Sequence, residues 1–344
     1  MEREGGLFET FSHIIAFFFA RSPFMLMVAR QFTEGVQIML FNGAQATSDT
    51  VWGVSPLHLA ALSGNVELVK VLLEHNLALS VAVDDKFATP LHYAAYGHRV
   101  EVVKILLDIV DPNCADLDGH TPLLTAILRK SAPVMLELLQ KGAHVSHSEL
   151  WAACCAPSDV PILSTLVEHA DLAEALLQRS SAFGHNVLMK VVMFLDDLAA
   201  CEIIPLLLHK NMSVLNDVDD NRRTALFYAV LFGKVNVVRL LIDLGADQTI
   251  RDIYNNTLAH VITTSVVFDV LNDVVGGLPL DEENMFGWRP LNVARALQAM
   301  DVCSAMEAAG ASAVENPDTS LVPSWKYRVN VPFTEGAANT EFLV

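Results

Sequence analysis

Histidine and cysteine are the side chains in this sequence that could first be suspected of binding a metal. His144 and His147 lie three residues apart at a predicted turn, and Cys154 is followed directly by Cys155. A zinc site needs further ligands at defined spacing, and no CxxC or other Cys/His pattern supplies them around either pair. The sequence therefore predicts no metal site and no cofactor.

Adjacent carboxylates could serve as a general acid and base. Such pairs occur at Asp84-Asp85, Asp196-Asp197, Asp219-Asp220 and Glu282-Glu283. All fall between helices or in turns, where acidic residues favour the start of the next helix. The motifs GxGxxG, GxxxxGK[ST] and GxSxG, which would indicate phosphate binding or a serine nucleophile, do not occur. We therefore predict no catalytic residues, although a site built from residues 146–223 is one alternative.

The composition indicates a folded acidic protein. Of 344 residues, 52% are hydrophobic and 18% are charged, and the formal net charge is −18. This apolar content excludes a disordered chain, and the charge disfavours nucleic acid as a partner because phosphate backbones would be repelled. Length alone suggests two domains. Partners that are basic, or that make mostly apolar contacts, fit this composition better.

The N-terminus contains two short apolar runs, at residues 14–20 and 24–29. Arg21, Ser22 and Pro23 separate them, so neither reaches the roughly 18 residues that a membrane span needs. We predict that residues 1–21 form a buried capping helix, with a cleaved signal peptide as the alternative. Five cysteines at irregular spacing indicate reduced thiols, and hence a cytoplasmic or nuclear location.

The chain repeats itself at intervals of about 33 residues. SPLHLAALSGNVELVKVLL begins at Ser55, and TPLHYAAYGHRVEVVKILL begins at Thr89, 34 residues later. Clear further copies begin at Thr121 and Thr224, and weaker ones lie between and around them. The spacing predicts nine repeats, opening near residues 22, 55, 89, 121, 148, 186, 224, 257 and 289, of which the fifth and sixth are degenerate.

Each repeat has the sequence of a helix–turn–helix. Ser or Thr caps the first helix, Pro follows at its first position, and the second helix has apolar residues at helical spacing. Gly-Ala then ends the second helix. We predict one elongated domain over residues 22–312. Residues 313–344 leave the pattern, and they either cap the last repeat or bind another protein.

At these motifs the chain resembles the ankyrin-repeat family. The signature T-P-L-H-x-A is intact from Thr89, has Ser at its first position from Ser55, and is partly kept in other repeats. The residues that match it are Ser55, Pro56, His58, Thr89, Pro90, His92, Thr121, Pro122, Thr224, Thr257 and His260. The resemblance implies an all-α solenoid whose units are joined by turns or short β-hairpins. It also implies that the motif histidines bond the capping hydroxyls.

In this family, the turn before each cap and the exposed part of each first helix line a concave groove that binds proteins. Mapped onto this chain, the groove residues are Trp52, Val54, Lys86, Tyr96, His120, Leu128, Arg223, Leu231, Phe232, Tyr254, Phe286 and Trp288, with Leu117, Ile253 and Met285 beside them. Tryptophan, tyrosine and arginine are common at the energetic centres of interfaces. The alternative is that some of these side chains pack on neighbouring turns or on the C-terminal tail.

The resemblance implies a non-enzymatic scaffold that binds another protein through this groove. The net charge and the short apolar runs lead us to expect no nucleic acid as a partner and no insertion into a membrane. The expected partner is basic or carries an apolar extended or helical segment. The alternative function is a targeting or inhibitory subunit of an enzyme complex, such as a phosphatase, a kinase or a ubiquitin ligase. In that case residues 313–344 would supply the second contact.

Overall fold

A computed structural model describes residues 22–46, 52–154, 160–169, 176–177, 179 and 183–314. The predicted capping helix of residues 1–21 lies outside the described residues, and so does all of the predicted tail except residues 313 and 314. The chain divides into two compact units, an N-terminal unit of residues 1–217 and a C-terminal unit of residues 218–344.

The described part of the N-terminal unit consists of helix pairs joined by turns. Its α-helices are α1 (Pro23–Ala29), α2 (Thr33–Phe41), α3 (Pro56–Ser63), α4 (Val66–His75), α5 (Pro90–Tyr96), α6 (Val100–Leu107), α7 (Pro122–Leu128), α8 (Ala132–Gln140), α9 (His147–Cys154), α10 (Val160–His169), α11 (Val187–Phe194) and α12 (Asp197–Lys210). Short 3₁₀ helices follow α4 at Leu77–Val81 and α12 at Met212–Asn216.

The C-terminal unit has the same organisation. It contains α13 (Ala225–Leu231), α14 (Val235–Asp243), a 3₁₀ helix at Leu258–Val261, α15 (Ser265–Val275), α16 (Pro290–Ala296) and α17 (Met300–Ala308). Neither unit has a β-strand in its described residues, so turns and short 3₁₀ helices connect the described helix pairs. The prediction of an all-α repeat fold is confirmed, whereas the number of nine repeats stays a prediction.

The first helices begin where the capping residues predict. The hydroxyl of Ser22 accepts from the backbone N–H of Met25 at 3.3 Å, and that of Thr121 accepts from Leu124 at 3.0 Å. Thr224 does the same for Phe227 at 3.2 Å. Each bond satisfies a backbone donor that has no partner inside the helix, which fixes where the helix starts.

The fifth repeat begins two residues earlier than the sequence indicated. The capping residue of α9 is Ser146 rather than Ser148, since the Ser146 hydroxyl accepts from the backbone N–H of Ser148 at 3.1 Å. Glu149 stands where other repeats have the motif histidine. One carboxylate oxygen of Glu149 accepts from the backbone N–H of Ser146 at 3.0 Å, and the other accepts from the hydroxyl of Thr121 at 2.7 Å. Glu149 thus bonds the preceding repeat, whereas the motif histidines bond the turn of the following repeat.

Two layers of helices enclose the core of the N-terminal unit. First helices pack on first helices, as α3 does on α5 and α5 on α7, while second helices such as α6 and α8 form the other layer. The leucines between the layers are fully buried, namely Leu57, Leu68, Leu72, Leu91, Leu106 and Leu123. Because each pair covers its neighbour's apolar face, the stack holds the turns in a fixed order. Within the described residues, no helix combines the length and the apolar character that crossing a bilayer would require.

Candidate partner-binding surfaces

The turns that precede the first helices share one construction. Asp84 accepts from the backbone N–H groups of Lys86 and Ala88 through the same carboxylate oxygen, both at 2.9 Å. The same pair of bonds occurs in the turns of Asp116, Asp219 and Asp252, and the amide oxygen of Asn284 accepts the same pair in its own turn. A short acceptor side chain that bonds the backbone two and four residues later closes the turn tightly. The residues between these bonds are therefore held in fixed positions.

Backbone hydrogen bonds connect neighbouring turns within each unit. In the N-terminal unit, Asp85 N–H donates to the carbonyl of Trp52 at 3.0 Å, and Leu117 N–H donates to that of Lys86 at 2.9 Å. In the C-terminal unit, Met285 N–H donates to the carbonyl of Tyr254 at 2.9 Å. Side chains on successive turns consequently lie side by side in each unit.

The motif histidines tie each first helix to the next turn. Nδ1 of His58 accepts from the backbone N–H of Ser55 at 3.0 Å, and Nε2 lies 2.9 Å from the carbonyl oxygen of Ala88. His92 makes the same contacts to Thr89 and His120, and His260 makes them to Thr257 and Trp288. Because Nδ1 accepts from an N–H group, the neutral imidazole with its proton on Nε2 fits all three sites.

Burial holds these imidazoles neutral. It lowers the pKa of His58 to about 4, against the opposing effects of the Ala88 carbonyl and the charge of Asp84. Burial likewise lowers the pKa of His92 and of His260. The three lie in different repeats, and their ring nitrogens are used in bonds between repeats. Their arrangement suits a structural role.

Large side chains project from the turns of the N-terminal unit. Trp52 is 52% exposed, and Lys86, Phe87 and Leu117 are also exposed. We call these four residues the N-terminal turn surface. Among the other groove residues of this unit, Tyr96 and Leu128 are exposed at the ends of α5 and α7, whereas His120 is half-buried beside Asp116.

The C-terminal unit has a second set of apolar side chains on its turns. Ile253 and Met285 are exposed, and the rings of Tyr254 and Phe286 are half-buried, with centroids 5.7 Å apart. We call these four residues the C-terminal turn surface. Arg223 is half-buried and ion-pairs with Asp252 at 3.7 Å, and Phe232 stacks on Tyr228 at 6.2 Å between centroids. Arg223 and Phe232, which were both predicted to line the groove, thus have contacts within the protein.

Three predicted groove residues are not exposed, so the expectation that they line a surface is wrong. Val54 and Leu231 are buried, and Trp288 is only 2% exposed. Val54 and Trp288 each directly precede a capping residue and are buried there. Trp288 packs against Val293, with Phe286, Ala296 and Leu297 around it. Leu231 is buried at the end of α13. Position within the turn, rather than presence in a turn, decides exposure.

Phe87 is the exposed turn residue that the sequence analysis missed. Its φ of +61° is left-handed, and the corresponding positions in other turns are Gly119, Asn255 and Gly287. A bulky aromatic residue is uncommon in this conformation. Aligning DDKFATP with DLDGHTP would have placed Phe87 opposite Gly119 and marked it as unusual.

One turn brings three possible metal ligands together. Ligand atoms of Asp116, Asp118 and His120 lie within 4.8 Å of one another. The same oxygen of Asp116 accepts from the backbone N–H groups of Asp118 and His120, at 2.9 and 2.8 Å. These are the bonds that Asp84 makes in its own turn, so the cluster follows from turn construction.

The comparison with known families agrees with this construction. A family model described as ankyrin repeats (3 copies) matches residues 24–116, 80–149 and 150–252. The chain belongs to the ankyrin-repeat family. Ankyrin repeats form protein–protein interaction domains, and this places the turns and first helices described above in a domain of that kind.

Similar proteins of known structure share the ankyrin fold. The ankyrin repeat domain of human ASB11 is 23% identical, with a TM-score of 0.50 over 63% of this chain and 97% of that domain. The ankyrin repeat domain of Bcl-3, a member of the IkappaB protein family, is 21% identical, with a TM-score of 0.44 over 74% of this chain and 99% of that domain.

A curated relative is much longer. The E3 ubiquitin-protein ligase KEG of Arabidopsis thaliana is 25% identical over 161 residues, which are 44% of this chain and 10% of the ligase. The match thus spans about a tenth of that relative's length.

Proposed function

We propose that this ankyrin protein is a non-enzymatic scaffold that binds another protein through the exposed side chains of its turns and first helices. One observation carries the proposal: each unit holds large apolar side chains on neighbouring turns that backbone bonds fix in place. Side chains fixed before binding lose little conformational entropy when a partner covers them. Exposed apolar side chains in an ordered row are typical of a protein-binding surface.

The chemistry of the surfaces indicates which kind of partner to expect. An extended or helical segment with apolar side chains would cover several turns of one unit at once. The net charge of −18 favours fast, salt-sensitive encounter with a partner that is basic overall. We therefore expect association with such a partner to slow as the salt concentration rises.

Replacing Trp52 with alanine tests the N-terminal turn surface. We expect Trp52→Ala to weaken partner binding by roughly 1–3 kcal/mol, because the indole would lose the area it buries against the partner. The thermal midpoint should change little, since the bond from Asp85 uses the backbone carbonyl of residue 52. Isothermal titration calorimetry with a captured partner, together with thermal melting, measures both quantities.

Two controls make the Trp52 experiment specific. Leu198→Ala removes a similarly exposed side chain from α12 and should leave binding unchanged. Leu72→Ala, in the buried layer of α4, should cost about 2–5 kcal/mol of stability. Should Trp52→Ala melt early and still bind when folded, the indole would be a packing residue and the surface would have to lie elsewhere.

The alternative function assigns the second contact to the C-terminal tail. A targeting subunit that needs residues 313–344 would lose its enzyme when the chain is cut after residue 312, whereas a scaffold that binds through its repeats would keep its partner. Pulldown with the full chain and with residues 1–312 distinguishes the two. Retention of the same partner by both forms supports the scaffold.

We also propose that residues 1–21 cover the first helix pair. Phe32, Ile38 and Phe41 are exposed in and beside α2, and Phe41 is 91% exposed. Deleting residues 1–21 should therefore lower solubility and increase binding of a hydrophobic dye. If the shortened protein is as soluble and as stable as the full chain, this segment is a targeting signal or a partner-binding motif instead.

A further inference from the structure

The last described turn of the C-terminal unit lacks a bond that the turns before it have. The carbonyl of Asn221 accepts from the backbone N–H of Ile253 at 3.0 Å. The carbonyl of Tyr254, one turn later, accepts from that of Met285 at 2.9 Å. Phe286 stands at the same place in the next turn, and among the described residues no N–H group donates to its carbonyl. The row of turns thus ends with an open backbone acceptor beside Met285, whose side chain is 61% exposed.

The chain crosses back to the first helix too early to supply the missing donor. Nε2 of His260 contacts the carbonyl of Trp288, which lies 28 residues later. Nδ2 of Asn292, at the same position in the last pair, donates to the carbonyl of Val314, only 22 residues later. The backbone N–H of Val314 also donates to Oδ1 of Asn292 at 3.0 Å. This last crossing is therefore six residues shorter, and it leaves out the residues that form the tip of the other turns.

Side-chain bonds hold the end of this short crossing beside the open turn. The hydroxyl of Ser312 donates to Oδ1 of Asp281 at 2.6 Å and accepts from Nη1 of Arg289. Asp281 and Arg289 lie four residues before and four residues after Met285. The chain beyond Val314 therefore starts next to the turn of Met285 and Phe286.

The sequence beyond Val314 contains a segment that is suited to pair with an open turn. Residues 325–333 read WKYRVNVPF, in which apolar side chains alternate with Lys, Arg, Asn and Pro. Alternation with a period of two is typical of an extended strand that has one apolar face. Ten residues separate this segment from Val314, and they can span up to about 35 Å. The segment can therefore reach the turn without strain.

We infer that residues 325–333 dock in an extended conformation beside the turn of Met285 and Phe286, in the place that the tip of a further turn would occupy. A backbone N–H of the segment would donate to the carbonyl of Phe286, and its apolar face would lie on Met285. Addition of an extended segment to an open backbone edge is a common mode of recognition. Because the segment is tethered, its effective concentration is roughly millimolar, which favours it over a free competitor.

This inference needs no partner protein, so it does not rest on the proposed function. It adds a condition to it, since a partner that uses the C-terminal turn surface would first have to displace residues 325–333.

Photo-crosslinking within the full-length chain tests this inference. p-Benzoylphenylalanine replaces Tyr327, and the crosslinked peptides are identified by mass spectrometry. We expect crosslinks to the peptide that contains Met285 and Phe286. Met285→Glu should lower their yield about tenfold, because the apolar face would then have to cover a charge. Val266→Glu makes the same change at a 55% exposed position in the first turn of α15 and should keep the yield within about twofold.

A second pair of variants changes the segment and leaves the repeats untouched. Val329→Asp/Val331→Asp places charges on the apolar face and should abolish the crosslinks to the turn. Arg328→Ser/Asn330→Ser changes the opposite face and should preserve them. If both variants had the same effect, the alternation would not direct the contact and the inference would be wrong, even if Met285→Glu had disturbed the fold.

Mixing chains that carry natural and heavy nitrogen identifies the occupant of the turn. Crosslinks between peptides of equal labelling support docking within one chain, whereas crosslinks of mixed labelling would show that a second copy binds there and would overturn the inference. Crosslinks scattered over the repeats, or none to the turn, would overturn it as well. Partner binding that depends on Trp52 would remain in each of these cases, so a failure here is distinct from a failure of the proposed function.

Discussion

Replacing Trp288 with alanine is expected to lower the free energy of unfolding by about 3–5 kcal/mol, as truncation of a large buried aromatic side chain commonly does. The indole is 2% exposed and packs against Val293 beside Phe286 and Leu297. Alanine would leave a cavity under α16, the first helix of the last pair in the described part of the chain. Chemical denaturation of the full-length protein, followed by circular dichroism, measures this loss.

A phenylalanine at the same position provides the matched control. The indole Nε1 of Trp288 is buried without a hydrogen-bond partner among the described residues. Trp288→Phe therefore removes an unpaired donor while it keeps most of the apolar contact, so it should cost much less than Trp288→Ala. If Trp288→Ala were as stable as the wild type, the indole would not be packed in the core. Trp288 would then be an exposed groove residue, as the sequence had predicted.

Lowering the pH from 7 to about 4.5 is expected to destabilise the protein through its buried motif histidines. The pKa of His58 falls from 6.5 to about 4 on folding, so the folded state takes up a proton less readily than the unfolded state does. A group of this kind stabilises the fold fully above the unfolded pKa, and the contribution is lost as the pH falls from 6.5 toward 4. His58 alone should account for a loss of about 2–3 kcal/mol at pH 4.5.

The other motif histidines act in the same direction. Burial lowers the pKa of His92 and His260, and protonation at Nδ1 would set its N–H against the backbone N–H that it now accepts from. Urea denaturation at several pH values between 7 and 4.5 measures the combined effect. We expect the unfolding midpoint to fall steadily over this interval.

Asparagine is a suitable non-titrating replacement at these positions. Asn292 stands at the motif histidine position of its own repeat, where it accepts from Arg289 N–H at 3.3 Å and donates to the Val314 carbonyl at 3.2 Å. His58→Asn should therefore reduce the pH dependence, whatever its stability at pH 7. The same pH dependence in His58→Asn and in the wild type would show that His58 does not titrate in this range.

The helix starts were predictable from sequence because the signals that set them are local. A capping hydroxyl, a proline at the first helical position and the apolar spacing of the second helix all lie within one repeat. The error at the fifth repeat arose where Glu149 replaces the motif histidine. The carboxylate accepts from the backbone N–H of Ser146 as the histidine Nδ1 does in other repeats, but its second bond is to Thr121 of the preceding repeat, and it does not match the signature.

Exposure was harder to predict because it depends on packing between repeats. Trp52 and Trp288 occupy similar turns in sequence, yet the first is half exposed and the second is buried. Trp52 stands three residues before its capping residue, whereas Trp288 stands directly before one. The bond from the backbone N–H of Trp288 to the side chain of Asn284 marks this second position.

Quantitative affinity purification with mass spectrometry tests the central proposal most directly, when the same experiment is run on the wild type, Trp52→Ala/Leu117→Ala and Leu198→Ala. The double variant removes two exposed side chains from the N-terminal turn surface, whereas Leu198→Ala removes one from α12. A scaffold that binds through its turns predicts a partner that is captured by the wild type and by Leu198→Ala and is lost, or strongly depleted, with the folded double variant. Capture of the same proteins in the same amounts by all three forms would contradict binding through this surface.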